Sequence, residues 1–137
     1  MLKYVVTYLG TGLAFAAIDF VWLAWLGAGL YRPTLDPVLA PSVNLGAAAA
    51  FYLIYVLGVV VLAVVPAGRE GSWTRAMRTG AMLGAFAYAT YDLTNQATLK
   101  VWATAITVAD IAWGTFLTGA ASTLGFFVWR WAAKRFG

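Results

Sequence analysis

The chain contains no cysteine and no histidine. That excludes disulfides, thiolate nucleophiles and imidazole bases, together with haem, zinc and iron sites built on sulfur or imidazole ligands. Charge is scarce as well. Nine Lys and Arg and five Asp and Glu make up 10% of the 137 residues, against about 25% in soluble domains. Acid–base chemistry is left to Asp, Glu, Lys or Tyr, and no metal site or cofactor is expected. There is no low-complexity segment. The one internal echo, Asp19-x-x-Trp22 and Asp110-x-x-Trp113, is short enough to arise by chance in a Trp-rich chain.

What remains is 63% hydrophobic. A chain this short keeps much of its surface exposed whatever its fold, so most of that apolar content must face lipid. The expectation is one transmembrane domain over residues 1–137, all-α, because helices satisfy their own backbone groups in hydrocarbon. Four apolar runs fit about 4–26, 45–65, 76–99 and 105–128. The start of the first mimics a signal peptide, with Lys3 followed by an apolar run and Ala14-Phe15-Ala16. The run continues ten residues further, which favours an uncleaved span. Between the first two runs, "YRPTLDPVLAPSVN" holds three of the four prolines and reads as an extended surface loop. Ser42 or Asn44 can cap the next helix. The second run ends at Pro66, and "AGREGSWTRAMR" reads as a short basic loop.

Four spans put both termini on one side. Lys3, Arg69, Arg75, Arg78, Arg130, Lys134 and Arg135 fall on that side, and only Arg32 and Lys100 on the other. The bias of basic residues toward the cytoplasm then makes both termini cytoplasmic in a four-helix transmembrane bundle. It also accounts for the net charge of +4 without any nucleic-acid partner. Trp73, Trp102, Trp129 and Trp131 sit near span ends, as interfacial aromatics do.

The stretch "YDLTNQATLK", Tyr91 to Lys100, has the composition of a loop. Length argues otherwise. Arg78 to Tyr91 makes about 21 Å of helix, short of a hydrocarbon core of about 30 Å. The helix must run on to about Thr98 or Leu99, and nothing between Gly84 and Gly114 is a glycine or proline that would break it. Tyr88, Asp92, Asn95, Gln96 and Leu99 then share one face, which points into the bundle because polar groups facing lipid are costly.

Measured from the cytoplasmic end, Asp19, Asp92 and Asp110 lie about 22, 21 and 27 Å up their helices. Each charged Asp near a helix centre costs about 2.5–3.5 kcal/mol, and no Lys or Arg lies within a span to offset it. The carboxylates must be protonated, accept hydrogen bonds, or bind a proton or other cation. Asp19, Asp92, Asn95 and Asp110 are therefore the candidate binding site, with Trp22, Tyr88, Tyr91, Thr94 and Trp113 as its lining. Asp110 has an equal structural reading: Thr107-x-x-Asp110 is a capping box at the start of the fourth helix. Small residues at helical spacing, Gly80 with Gly84 and Gly114 with Thr118, let helices approach closely. They suit a helix of the same chain or a homodimer, and the other partner is the lipid bilayer.

Asp19-Phe20-x-Trp22, Tyr91-Asp92-Leu93-Thr94-Asn95 and Asp110-x-x-Trp113-Gly114 together resemble a bacterial membrane family catalogued as domain of unknown function 2177. The resemblance covers nearly the whole chain and implies a multi-pass protein of the bacterial cytoplasmic (inner) membrane. It carries no activity. The residues themselves favour proton- or cation-coupled transport of a small molecule. An intramembrane enzyme acting on a lipid, and a structural or accessory subunit, are the alternatives.

Overall fold

The computed structural model describes the backbone of residues 1–137 and every side chain except those of Leu26 and Ala28. The described residues form helices joined by short turns, with no strand. Helix α1 spans Leu2–Val21, α2 Gly27–Leu35, α3 Leu45–Val59, α4 Val65–Glu70, α5 Trp73–Thr98 and α6 Thr104–Phe136. Single π-helical turns, Trp22–Leu26 and Val60–Val64, join α1 to α2 and α3 to α4. Three continuous helical stretches, Leu2–Trp25, Leu45–Glu70 and Thr104–Phe136, are long and apolar enough to cross a membrane. The protein is thus all-helical with membrane-spanning stretches.

The apolar side chains are distributed as a bilayer demands. Leu9, Leu13, Leu53, Ile54, Met82, Phe86, Phe116 and Phe127 are exposed, whereas Thr7, Thr11, Asp92, Thr118 and Ser122 are fully buried. In lipid, burying Leu117 against Phe15 gains nothing from leaving water, because the surroundings are as apolar as leucine. Association must come from close packing and hydrogen bonds.

Close packing is concentrated along α6, which runs between α1 and α5. Glycines make the approach feasible. A Cβ on Gly80 would lie 2.2 Å from Ser122 Oγ, and one on Gly84 would lie 2.1 Å from the carbonyl oxygen of Gly114. On the other side, a Cβ on Gly125 would lie 2.4 Å from Thr11 Oγ1, and one on Gly10 2.8 Å from a Val128 methyl. The Gly80/Gly84 and Gly114/Thr118 stripes thus face each other within one chain. Both stripes through which a homodimer was considered are thus engaged in contacts within the chain.

The ends of the helices depart from the sequence expectations in three places. Residues 31–44 were expected to form an extended loop, but α2 continues through Pro33 to Leu35 and a 3₁₀ turn covers Asp36–Val38. Proline removes only the donor to the residue four back, Gly29, which is exposed and can meet solvent or headgroups instead. Pro66 does not end the second span. The π turn before it bonds Val65 N–H to the Val60 carbonyl five back, which widens the helix where the proline ring enters. The basic segment 67–78 is helix rather than loop, apart from Gly71 and Ser72. Gly71 takes φ 73°, a left-handed conformation that glycine adopts at little cost. Ser72 then caps α5 through Arg75 N–H at 3.3 Å. As expected for one of two candidates, Asn44 caps α3, accepting from Ala47 N–H at 3.0 Å.

One end of the molecule gathers N-terminal, α4 and C-terminal residues. Lys3 Nζ lies 5.5 Å from the Trp129 ring, the Tyr4 and Trp129 rings meet edge-on at 5.1 Å, and Arg69 reaches the Tyr4 hydroxyl at 3.5 Å. The opposite end carries Arg32, Lys100 and the 99–103 turn between α5 and α6.

The packing gives a direct test. Gly84→Ala should destabilise the fold by about 1–3 kcal/mol, because the obstacle is α6 backbone that cannot turn aside. Gly58→Ala, where nothing lies within 4 Å of the added Cβ, should be neutral or slightly stabilising. Unfolding in detergent micelles compares them, and equal losses at both positions would contradict the close α5–α6 approach.

Candidate functional site

The antiparallel pairing of α5 with α6 fixes the site. With Gly80 opposite Ser122 and Gly84 opposite Thr118 and Gly114, the next turns bring Asp92 to Asp110 and Gln96 to Thr107. Tyr88 lies flat on the backbone at Gly114, where a Cβ would be 2.2 Å from its ring. The Gln96 end is closed by a chain of hydrogen bonds. Trp102 Nε1 donates to Thr107 Oγ1 at 2.9 Å, Thr107 donates to Gln96 Oε1 at 2.7 Å, and Gln96 Nε2 donates to Thr104 Oγ1 at 2.9 Å. The segment "YDLTNQAT" is therefore helical, and the polar residues on one of its faces are directed toward α6.

The same network removes the capping reading of Asp110. Helix α6 starts at Thr104 after Ala103, with no side-chain cap, and Thr107 is engaged with Gln96 and Trp102 instead. Asp110 lies nearly two turns inside the helix and is buried at 6% exposure. The motif misleads because a Thr-x-x-Asp spacing also places both residues on one face of a continuing helix.

All three carboxylates come from different helices and occupy one region. Asp19 is 7% exposed and Asp92 0%. The α5–α6 register that sets Gly80 on Ser122 and Tyr88 on Gly114 places Asp92 beside Asp110, and the Trp22–Trp113 stack joins the neighbourhoods of Asp110 and Asp19. Their remaining partners differ. Asp19 accepts from the Tyr52 hydroxyl on α3 at 2.5 Å, and Trp113 Nε1 on α6 lies 3.5 Å from its other oxygen. Asp110 accepts from the Tyr31 hydroxyl on α2, which in turn accepts from Trp22 Nε1 at 2.8 Å. Asp92 receives no donor at either oxygen among the described residues. Since an ionised carboxylate only accepts, an Asp92–Asp110 hydrogen bond needs a proton on one of them.

The aromatic residues frame these carboxylates. Trp22 and Trp113 stack with centroids 4.7 Å apart and planes 12° from parallel. The π turn that begins at Trp22 sets the offset between α1 and α2, and a Cβ on Gly27 would lie 2.7 Å from the Tyr31 ring. A Cβ there would press on the Tyr31 and Trp22 rings together, so the glycine leaves room for Tyr31 to reach both Trp22 and Asp110. Such π turns recur at functional sites. Tyr88 lines the same cavity as Asp110, and the Tyr55 hydroxyl meets Thr118 Oγ1 at 2.9 Å.

Asp110, Tyr31 and Tyr88 open on a cavity of about 670 Å³, within the common size range of ligand pockets. Tyr91 and Trp102 form part of its wall, Leu23, Leu39 and Phe51 give it an apolar side, and Arg32 is its one basic residue. Asp92 lies behind Asp110, out of the cavity.

Two of the expected site residues stand apart. Thr94 is exposed and its hydroxyl turns back to the carbonyls of Thr90 and Tyr91 at 2.5 and 3.0 Å. It is two residues from Asp92, about 200° around the helix, so it is not in the lining. Asn95 is half-buried on the Asp92 face but hydrogen-bonds neither carboxylate among the described residues. Tyr31, Arg32, Tyr52 and Tyr55 were not singled out as site residues. The available signal was the hydroxyls of Tyr52 and Tyr55 inside an otherwise apolar span, which needed polar partners somewhere. Among the described residues no group of three or more acidic, His or Cys side chains has the spacing to hold a metal ion.

If Tyr52 holds Asp19 as drawn, Tyr52→Phe should cost about 1–3 kcal/mol by leaving a buried carboxylate oxygen unmet. Tyr8→Phe, which loses an exposed bond to the Leu53 carbonyl, should stay within about 0.5 kcal/mol. A smaller loss at Tyr52 than at Tyr8, measured by unfolding in micelles, would show that Asp19 is supported otherwise.

No curated protein and no solved structure matches the chain. Residues 4–127, which include all three carboxylates and the stacked tryptophans, match the family described as predicted membrane protein, domain of unknown function 2177, and the chain belongs to that family.

Proposed function

We propose that this is a four-helix transmembrane bundle of the bacterial cytoplasmic membrane, with both termini cytoplasmic, that uses an Asp92–Asp110 pair for proton- or cation-coupled transport of a small molecule. The fourth span would be α5. Its 26 residues measure about 39 Å, and it pairs antiparallel with α6, itself apolar enough to cross. Its mean hydropathy is lowered by polar residues, yet Asp92 is buried while Met82, Phe86 and Leu93 are exposed. An odd number of crossings would also separate the termini, whereas Lys3 sits over Trp129. The cluster of Lys3, Arg69, Arg75, Arg78, Arg130, Lys134 and Arg135 supports the cytoplasmic assignment of that end.

The observation that carries the functional reading is Asp92. It is fully buried, without a donor at either oxygen, and beside a second carboxylate on a cavity wall. Ionising both members would leave two adjacent charges with no basic side chain beside them, which burial and like charge both oppose. One proton shared by the pair removes that conflict, and a cation reaching Asp110 from the cavity would displace it. That is the coupling rule of an exchanger: proton out as cation enters. Asp19 is the weaker candidate for exchange, because Tyr52 and Trp113 already hold it. Its role in this scheme is to fix α1 and α3 against α6.

Infrared difference spectroscopy across a pH titration should show a protonated carboxylic acid band in the wild type. Asp92→Asn should remove it, and proteoliposomes carrying that variant should lose substrate-dependent proton movement by tenfold or more, a change of about 1.4 kcal/mol. Asp19→Asn should lower stability more than coupling. Absence of proton movement with every amine and inorganic cation tested would overturn the transport reading.

A further inference from the structure

The cavity carries two opposite charges that do not neutralise each other. Asp110 and Arg32 both line it, yet the one ion pair among the described residues is Arg75 with Glu70 at the other end of the molecule. Arg32 is exposed and Asp110 is buried, so the positive group stands at the mouth and the negative group inside. Between them the wall is apolar and aromatic, with Leu23, Leu35, Leu39 and Phe51 on one side and Tyr91 and Trp102 on the other. A simple cation would be repelled by Arg32 on entry, and a simple anion by Asp110 on arrival. A molecule with an ammonium group, an acidic group and an apolar tail satisfies all three features.

Resting on the carboxylate site argued above, we propose that the occupant is the headgroup of a phospholipid bearing a primary amine. The ammonium group donates to Asp110, and the Tyr31 hydroxyl remains beside it. The phosphate is held at Arg32, whose planar guanidinium suits phosphate oxygens. The acyl chains leave along Leu23, Leu39 and Phe51 into the bilayer. Arrival of the ammonium at Asp110 displaces the proton shared with Asp92, which leaves to water through the cavity that Asp110 lines; apart from that O–H bond no covalent bond changes.

The test uses the full chain, purified and delipidated in detergent, with four probes: dioleoylphosphatidylethanolamine, dioleoylphosphatidylglycerol, dodecylamine and free phosphoethanolamine. Binding is followed by tryptophan fluorescence, since Trp102 lines the cavity, and by native mass spectrometry. The amino lipid should bind about tenfold or more tighter than the glycerol lipid, and free phosphoethanolamine should bind weakly. Arg32→Gln should weaken the amino lipid about tenfold, as expected for loss of one charge-assisted contact, and should not weaken dodecylamine, whose binding should tighten as the repulsion at the mouth is removed. Asp110→Asn should weaken both amines. Asp110→Glu and Tyr31→Phe, with thermal melts of each variant, serve if Asp110→Asn does not fold. Equal binding of the two lipids, or no effect of Arg32→Gln, would overturn the aminophospholipid assignment. Phosphoethanolamine binding as tightly as the lipid would make the ligand a soluble zwitterion and overturn it too. Asp110-dependent dodecylamine binding alone would sink this inference and leave the cation site standing. Insensitivity of every probe to all Asp110 substitutions would remove both.

Discussion

Helix α5 lies on α6 at a distance only glycine permits, and the register of that contact governs everything above it. Gly84 faces the Gly114 carbonyl and Gly80 faces Ser122. With those rungs fixed, the rise of 1.5 Å per residue leaves no choice about the next ones: Tyr88 lies on Gly114, Asp92 meets Asp110, and Gln96 meets Thr107. In lipid this approach cannot be driven by removing apolar surface from water. It is held by dispersion between close backbones and by the hydrogen bonds at the Gln96 end. The energetic risk of two carboxylates side by side is thus imposed by packing that stabilises the rest of the hairpin.

The protein answers that risk with aromatic donors rather than cations. Tyr31, Tyr52, Trp22 and Trp113 come from the α1–α2 region, from α3 and from α6, and each brings one polar atom to the end of a large apolar ring. Such a group can enter a bilayer interior at far smaller cost than Lys or Arg. The donors are shared unequally. Asp19 has two neighbours, Asp110 has one on the cavity side, and Asp92 has only Asp110. That inequality separates a carboxylate that ties helices together from a pair whose members have few donors besides each other.

The two π turns serve the same arrangement from outside the α5–α6 contact. The one at Trp22–Leu26 rotates α2 so that Tyr31 and Arg32 come over the cavity. The one at Val60–Val64 carries the second helix past Pro66 to Glu70, so that Arg69 reaches the end where Lys3, Tyr4 and Trp129 meet. A straight helix in either place would misplace a charged residue by a fraction of a turn.

Composition and span length were enough to read an all-helical membrane protein, and to read "YDLTNQATLK" as helix to about Thr98 or Leu99, where the structure ends it at Thr98, because hydrocarbon thickness and helix rise are fixed lengths. The spacing of Asp92 and Asn95 on one face was also legible, since a single helix obeys one period. What the sequence misjudged was local. Pro33, Pro66 and Thr107-x-x-Asp110 look like helix boundaries, but a boundary depends on what receives the freed backbone groups and the side chain. That was decided by exposed Gly29, a π turn and Gln96. Which carboxylates meet, which hydroxyls serve them, and that Arg32 shares a cavity with Asp110 were decided by tertiary structure alone. Those are relations between helices, and their register is set by glycine contacts whose partners a one-dimensional pattern does not name.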